Sequence, residues 1–341
     1  MKKSLKFITV LLVLMLAISA FAVGCSSTSD APAGQNEGGE GNTAGNDFPT
    51  KPIDVIVSFG AGGGTDVGAR ILLPYVEKEL GVPINVINKP GAGGWVGWAD
   101  LVNENPDGYT LGYINTPAII TGYLNPNNNR RNTIDDFDLI SNHVTDYNVI
   151  AVKADDNRFE NIDDVIKLAQ ETELTATSTG IGTDNHIAIL TLNNELGTNF
   201  TTVQMGGGNE IYAAVLGGHV DVLISNVGEA TAGHNSGDIR ILAVLAPERV
   251  DFIPDVPTLE EAGYGEIYGY SARGIAAPKD MDPAILEKIT DAFAKAMEDE
   301  DHIRRMAEMG LQVNAVYGDE YYNQVKQVEE NIKHISDLLG W

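Results

Sequence analysis

The chain has one cysteine among 341 residues, and only 22 basic residues against 48 acidic ones. A single thiol, Cys25, excludes any intrachain disulfide. A formal charge of −26 argues against nucleic acid and against anionic lipid headgroups as partners, because both carry the same sign as the protein. The signatures of common chemistries are missing too. There is no GxxxxGKS/T phosphate loop and no GxSxG nucleophile elbow. The six histidines show no HExxH or other metal-ligand spacing. Gly60-x-Gly62-x-x-Thr65 imitates a dinucleotide fingerprint but lacks its third glycine. Ser178, Asp184 and His186 lie close in sequence, yet a triad is defined by geometry rather than proximity along the chain. His186, just inside a helix start, reads as a packing or capping residue ahead of a ligand contact. The expectation is therefore no catalytic residue, no metal and no cofactor.

What is present is most informative at residues 53–80. The apolar, β-branched run Ile53–Phe59 reads as a buried strand. It enters Gly60-Ala-Gly-Gly-Gly-Thr-Asp66, after which Val67, Ile71, Leu72, Val76 and Leu80 fall at helical spacing until Gly81 and Pro83 stop the element. Glycines between strand and helix bare backbone N–H groups where the helix dipole is positive, an arrangement that holds an anion without a cationic side chain. On so acidic a protein, short-range backbone donors must do that work.

The N-terminus has its own pattern. A basic start (Lys2, Lys3, Lys6) precedes an apolar stretch from Phe7 to Val23 and then Gly24-Cys25, which reads as a secretory signal over residues 1–24. Ala22-Val23-Gly24-Cys25 resembles a lipobox, so Cys25 is the expected lipidation site, with an uncleaved membrane helix as the alternative. Residues 25–47 form the lipidated cysteine and a flexible tether rich in Gly, Ser and Asn, with a reach on the order of 25 Å.

From Pro49 onward strand-like and helix-like segments alternate, the pattern of an α/β fold with mainly parallel sheets. Strands are expected near 84–87, 109–114, 149–152, 176–178, 220–224, 241–245 and 271–276. Helices are expected at 161–170, after His186, from Pro283 behind an Asp282 cap, and along Tyr321, Val325, Val328, Ile332 and Ile335. A second small polar turn, Thr179–His186, follows a strand as the first does. Two such turns facing one another would make a two-lobed clamp. Asp66 has three readings: bracing the first turn, touching ligand, or capping the helix. Asp184 would cap the next helix or meet a ligand ammonium. Arg273, alone in an apolar strand, needs an acid partner or a ligand carboxylate. Trp95 and Trp98 read as packing residues.

Several motifs in fixed order resemble one family. Phe48-Pro-Thr-Lys-Pro-Ile53, the GlyGlyGlyThrAsp turn, Asn88-Lys-Pro-Gly-Ala-Gly-Gly94 and Pro106-Asp-Gly-Tyr-Thr110 are followed by Gly217-Gly-His-Val-Asp221, Pro254–Gly263 and Ala276-Ala-Pro278. Together they are similar to the substrate-binding proteins of tripartite tricarboxylate transporters, the Bug family, over residues 48–341. The resemblance implies a two-lobed periplasmic-binding-protein fold with a central hinged cleft. Residues 48–148 and 270–341 would form lobe 1 and residues 149–269 lobe 2. It implies a monomeric extracytoplasmic receptor that binds a small carboxylate (a di- or tricarboxylate, an amino acid or an aromatic acid) and delivers it to a membrane permease. The implied ligand loops contain Ser58, Phe59, Gly62, Gly63, Gly64, Thr65 and Asp66, and then Ser178, Thr179, Gly182, Thr183, Asp184 and Asn185. Asn226 and Arg273 join them. A ligand-presenting subunit for a membrane signalling kinase is the alternative, and an enzyme acting on a carboxylate a remoter one. Asp184, the Met205–Glu210 segment and Ser225 depart from the family's usual residues by removing a cation and adding acids. That suggests a ligand with a cationic or hydroxyl group besides its carboxylate, an effect Asp184→Ala should expose.

Overall fold

Strand β1 (Ile53–Val57) is buried on both faces: Ile53, Val55 and Val57 enter one core and Ile56 another. Alternating side chains that all meet apolar neighbours make the run read as continuously apolar. The computed structural model describes residues 47–341; the signal segment 1–24, Cys25 and the tether up to residue 46 lie outside the described residues. Helix α1 (Gly64–Leu80) ends at Gly81, whose φ of 74° is a left-handed cap that suits glycine. Next come β2 (Ile84–Asn88), α2 (Trp95–Val102), β3 (Thr110–Thr116) and α3 (Ala118–Leu124). The middle of the chain holds β4 (Phe137–Lys153), α4 (Ile162–Glu171), β5 (Leu174–Ser178), α5 (Asp184–Leu196) and β6 (Phe200–Gln204). It continues through α6 (Gly208–Leu216), β7 (Leu223–Asn226), α7 (Val227–Ser236) and β8 (Ile239–Val244). The last part is β9 (Tyr270–Pro278), α8 (Pro283–Glu298), α9 (Glu300–Glu308), β10 (Val313–Tyr317) and α10 (Gly318–His334). Asp282 caps α8 as expected, its Oδ1 accepting from Ala284 N at 2.8 Å. Among the described residues, no helix is long and apolar enough to cross a membrane.

The sheets are mixed, which corrects the expectation of mainly parallel pairing. Parallel ladders join β1 to β2, β1 to β3, and β5 to β6. Strands β4 and β9 run against every neighbour they have: β3 and β9, β4 and β9, and β4 with β7, β8 and β10 are antiparallel. Antiparallel pairs need no helical crossover, so counting alternating elements does not reveal them. Strand β4, expected only near 149–152, spans Phe137–Lys153. Its first half buries Ser141, Asn142, His143 and Asp146, which break the apolar period that marks a strand in sequence.

The long strand changes partners midway. Tyr147 is the last residue in register with β9, opposite Tyr270, and Asn148 the first in register with β7, opposite Asn226. The segment entering β9 lies alongside, with Asn148 N donating to Gly269 O at 2.8 Å. Each sheet is covered on both faces. Around β1, Leu72 and Phe293 of α1 and α8 fill one side, and Trp98, Ile119 and Tyr321 of α2, α3 and α10 the other. Around the second half of β4, Ile166 and Leu192 of α4 and α5 oppose Val215 and Ala230 of α6 and α7. Trp95 and Trp98 are packing residues, their indole N–H groups bonded to the carbonyls of Ile119 and Tyr113.

Behind β4 lies a buried polar chain. Tyr113 Oη is 3.1 Å from His143 Nδ1, and His143 Nε2 is 3.1 Å from His302 Nε2. Burial holds both imidazoles below the ordinary 6.5, His143 well below, so both are neutral in the fold. Their contribution to stability is complete above about pH 6.5 and is lost as pH falls below it, by up to ~1.4 kcal/mol per pH unit for each ring. Urea unfolding at about pH 7.5 and about pH 5.5 should show a larger loss for the wild type than for His302→Gln. Equal losses would remove the histidine pair as the cause.

Candidate functional site

Both small turns open on one cavity of about 180 Å³. The first turn, between β1 and α1, is held from behind by Asp66. Its carboxylate accepts from Gly62 N, Arg70 Nε and Asn88 Nδ2, each at 2.9 Å. Burial raises the Asp66 carboxyl, but these donors outweigh it and hold the group below its ordinary value. Asp66 thus sits in the bracing position and is absent from the cavity wall. Gly62, at φ 81°, supplies the left-handed step the turn needs. The N-cap, Gly63, has no side chain to cap α1. Among the described residues no acceptor meets the N–H groups of Thr65 and Asp66, which leaves two donors at the positive end of a helix of 17 residues.

The second turn, between β5 and α5, is knitted by its own side chains. Ser178 Oγ and Thr183 Oγ1 donate to Gly180 O at 2.9 and 2.8 Å. Thr179 Oγ1 donates to Asn185 Oδ1 at 2.9 Å, and Gly182 N to His186 Nδ1 at 3.1 Å. His186 is therefore a capping residue, and burial keeps its ring below the ordinary value, leaving Nδ1 free to accept.

Nine of the expected contacts reach the cavity: Phe59, Gly63, Gly64 and Thr65 from the first turn, Thr179, Thr183 and Asp184 from the second, and Asn226 and Arg273 from strands. The others do not. Ser58 is fully buried with its Oγ turned to the α2 backbone, where a Cβ at Gly97 would come within 2.5 Å. Gly62 opens instead on a neighbouring cavity of about 470 Å³. Ser178 and Asn185 brace the second turn, and the carbonyl of Gly182 accepts from Thr121 Oγ1 at 2.6 Å.

Arg273 on β9 lies directly beneath the first turn. It is 3% exposed, and a Cβ at Gly64 would stand 2.7 Å from its Nη2. Nη1 is 2.7 Å from Asp146 Oδ2, so the acid partner exists. Neither Nη1 nor Nε, however, has an aligned hydrogen-bond acceptor. Burial opposes the guanidinium charge, but Asp146, Glu229 and Asp184 around it more than compensate, and Arg273 stays protonated. Burial pushes the Asp146 carboxyl up to about 6 against the pull of Arg273.

Asp184 takes a role the sequence did not show. Its Oδ2 accepts from Asn148 Nδ2 at 2.7 Å and Asn226 Nδ2 at 2.8 Å, tying α5 to β4 and β7. Burial raises this carboxyl while the two amides oppose the rise. It neither caps a helix through its side chain nor keeps Oδ2 open for an ammonium.

Glu229 is the residue that sequence reading missed. Its Oε1 accepts from Gly64 N at 3.0 Å and its Oε2 from Ser225 Oγ at 3.0 Å, so a carboxylate from α7 rests on the start of α1. It lines both cavities. The available signal was Asn226 followed three residues later by Glu229, which has the spacing of a capping box. No such cap forms, because the acid reaches across the cleft instead. Asn115 was missed as well: its Nδ2 donates to Thr65 Oγ1 at 2.8 Å, and its Oδ1 has no donor. Gly206 and Gly207 of the turn before α6, and Gly208, Asn209 and Glu210 of its first turn, also line the wall.

Residues 69–339 match the tripartite tricarboxylate transporter family receptor. The UPF0065 protein of the gbd 5′ region of Cupriavidus necator is 31% identical over 295 residues, covering 86% of this chain and 89% of that protein. The periplasmic binding protein BugD superposes with a TM-score of 0.77 at 27% identity, covering 85% of this chain and 99% of the other. MatC of Rhodopseudomonas palustris, solved with bound malate, superposes with a TM-score of 0.76 at 25% identity, covering 86% of this chain and 100% of the other. The two-lobed α/β fold, the cleft and these matches agree: the chain belongs to the tripartite tricarboxylate transporter receptors of the Bug family, extracytoplasmic solute-binding proteins and not enzymes.

Proposed function

We propose that this receptor captures a small carboxylate in the 180 Å³ cavity and delivers it to the membrane subunits of a tripartite tricarboxylate transporter. One observation carries the reading. A buried guanidinium, Arg273, stands on the cavity wall beside the free N–H groups that begin α1. That is charge and donors in the arrangement a carboxylate accepts. The malate bound by MatC supports a carboxylate as the ligand class. Phe59, Gly63, Gly64, Thr65, Thr179, Thr183, Asn226 and Arg273 are the proposed contacts, while Ser58, Gly62, Asp66, Ser178, Gly182, Asp184 and Asn185 hold them in place.

Lobe 1 is assigned to residues 48–148 and 270–341 and lobe 2 to residues 149–269. The change of partners in β4 at Tyr147–Asn148 and the adjacent entry to β9 support a hinge there. Closure about it would exclude water and strengthen each hydrogen bond. The mature protein is proposed to be a monomer tethered by lipid on Cys25 after loss of residues 1–24.

Calorimetric titration of the protein, stripped of co-purified ligand by unfolding and refolding, tests the reading. The panel covers dicarboxylates, tricarboxylates, amino acids and aromatic acids. One-to-one binding of a carboxylate is the expected result. A folded protein that binds none of them overturns it.

A further inference from the structure

We infer that the cargo carries a cationic nitrogen together with its carboxylate, and that Glu229 is the residue that selects for it; the inference rests on the receptor reading above. The cavity wall holds Asp184, Glu210 and Glu229 against Arg273 alone. Behind the wall, Asp146 already faces Arg273 at 2.7 Å. A ligand bearing only carboxylates would add like charge to a site that is acidic before it arrives, and repulsion at a few ångströms in a partly desolvated cleft is strong.

The three acids on the wall are not equivalent. Asp184 commits its Oδ2 to two buried amides. Glu210 is exposed and turns its Oε2 back to Gly206 N at 2.8 Å. Glu229 is half-buried and carries one donor on each oxygen, Gly64 N and Ser225 Oγ, both at 3.0 Å. An ionised carboxylate accepts about four hydrogen bonds, so Glu229 keeps acceptor capacity toward the cavity.

The opposite pole is equally defined. Arg273 is 3% exposed and lines the same cavity, with Nη1 paired to Asp146 at 2.7 Å and Nε without an acceptor. Gly64 touches both poles: its N–H rests on Glu229, and its Cα faces the Arg273 guanidinium. An anion acceptor and a cation acceptor that both meet Gly64 fit a small amino-carboxylate, with its carboxylate on Arg273 and the α1 start and its ammonium on Glu229. The larger cavity of about 470 Å³ begins at the same glutamate, so a side chain on the ligand has room beyond it.

The test is calorimetry with matched pairs that differ by one amino group: succinate with aspartate, glutarate with glutamate, and propionate with alanine. Wild type should bind the amino member of a pair at least about tenfold more tightly. Glu229→Gln keeps a carbonyl for Gly64 N and removes the charge, so the preference should fall to near parity. Glu229→Asp keeps the charge and should keep the sign of the preference at lower affinity. Tighter binding of the members lacking nitrogen, or equal weakening of both members by Glu229→Gln, would overturn the inference while leaving the receptor reading intact. Binding of neither series by folded wild type would overturn this inference, and the receptor reading falls with it only if the tricarboxylates and aromatic acids of the wider panel fail to bind as well.

Discussion

Replacing Arg273 with methionine is expected to destabilise the protein by ~3–5 kcal/mol and to abolish carboxylate binding. Methionine roughly keeps the packing volume of the stem but leaves Asp146, whose side chain is 1% exposed, without its countercharge. The remaining hydrogen bond, from Gly228 N to Asp146 Oδ1 at 3.0 Å, does not offset a buried charge. Removing both members, Arg273→Met with Asp146→Leu, should recover most of the lost stability, because a buried ion pair is seldom worth more than well-packed apolar groups. Binding should stay absent in the double variant. The single variant should also suffer less in acid. Asp146 is already raised to about 6 in the wild type, and without Arg273 it rises further, so protonation on lowering the pH relieves the folded state. Urea unfolding of the two variants at neutral and mildly acid pH measures the three stability effects, and calorimetric titration measures the binding. A single-variant loss under about 1 kcal/mol would mean that the pair is not what holds this part of the cleft together.

Gly64→Ala is expected to have the second-largest effect. Gly64 has an ordinary helical φ, so the requirement here is room rather than backbone freedom. A methyl group would lie 2.7 Å from Arg273 Nη2 and 2.9 Å from its Cζ. Moving the guanidinium aside toward the cavity would break its pairing with Asp146, while β9 fixes its backbone between β3 and β4. Overpacking of this kind costs about 1–3 kcal/mol. The shift of Arg273 and of the α1 start should lower carboxylate affinity by roughly 100-fold, equal to about 2.7 kcal/mol. Gly60→Ala is the matched control for stability: a Cβ there meets nothing within 4 Å, and a change within about 0.5 kcal/mol is expected. Comparable losses from the two substitutions would mean that the turn, rather than the contact with Arg273, is sensitive.

Much of the architecture was legible along the chain. The strand–turn–helix at residues 53–80 could be read because β1 is buried on both faces and α1 on one, so each shows its own apolar period. The cap at Asp282 and the stop at Gly81 were legible because capping depends only on neighbours along the chain. The readings failed where tertiary contacts replaced apolar ones. The first half of β4 hides behind buried Ser141, Asn142, His143 and Asp146, of which the last three meet Asn314, His302 and Arg273 far away in sequence. Helix α7 is built mainly of Gly, Ala, Thr and polar residues and shows little apolar period, and with it Glu229 went unseen.

The sequence by itself determined the charge, the two small polar turns, the α/β alternation and the family, since all of these rest on local pattern or on motifs in fixed order. Tertiary structure alone decided which polar groups those turns enclose. It turned Ser58 and Asp66 away from the cavity, bound Asp184 to Asn148 and Asn226, placed Arg273 under Gly64 and brought Glu229 across to the start of α1. A side chain's hydrogen-bond partner is set by what lies within about 3 Å of it in space, and for Gly64 and Glu229 those groups stand 165 positions apart in the chain.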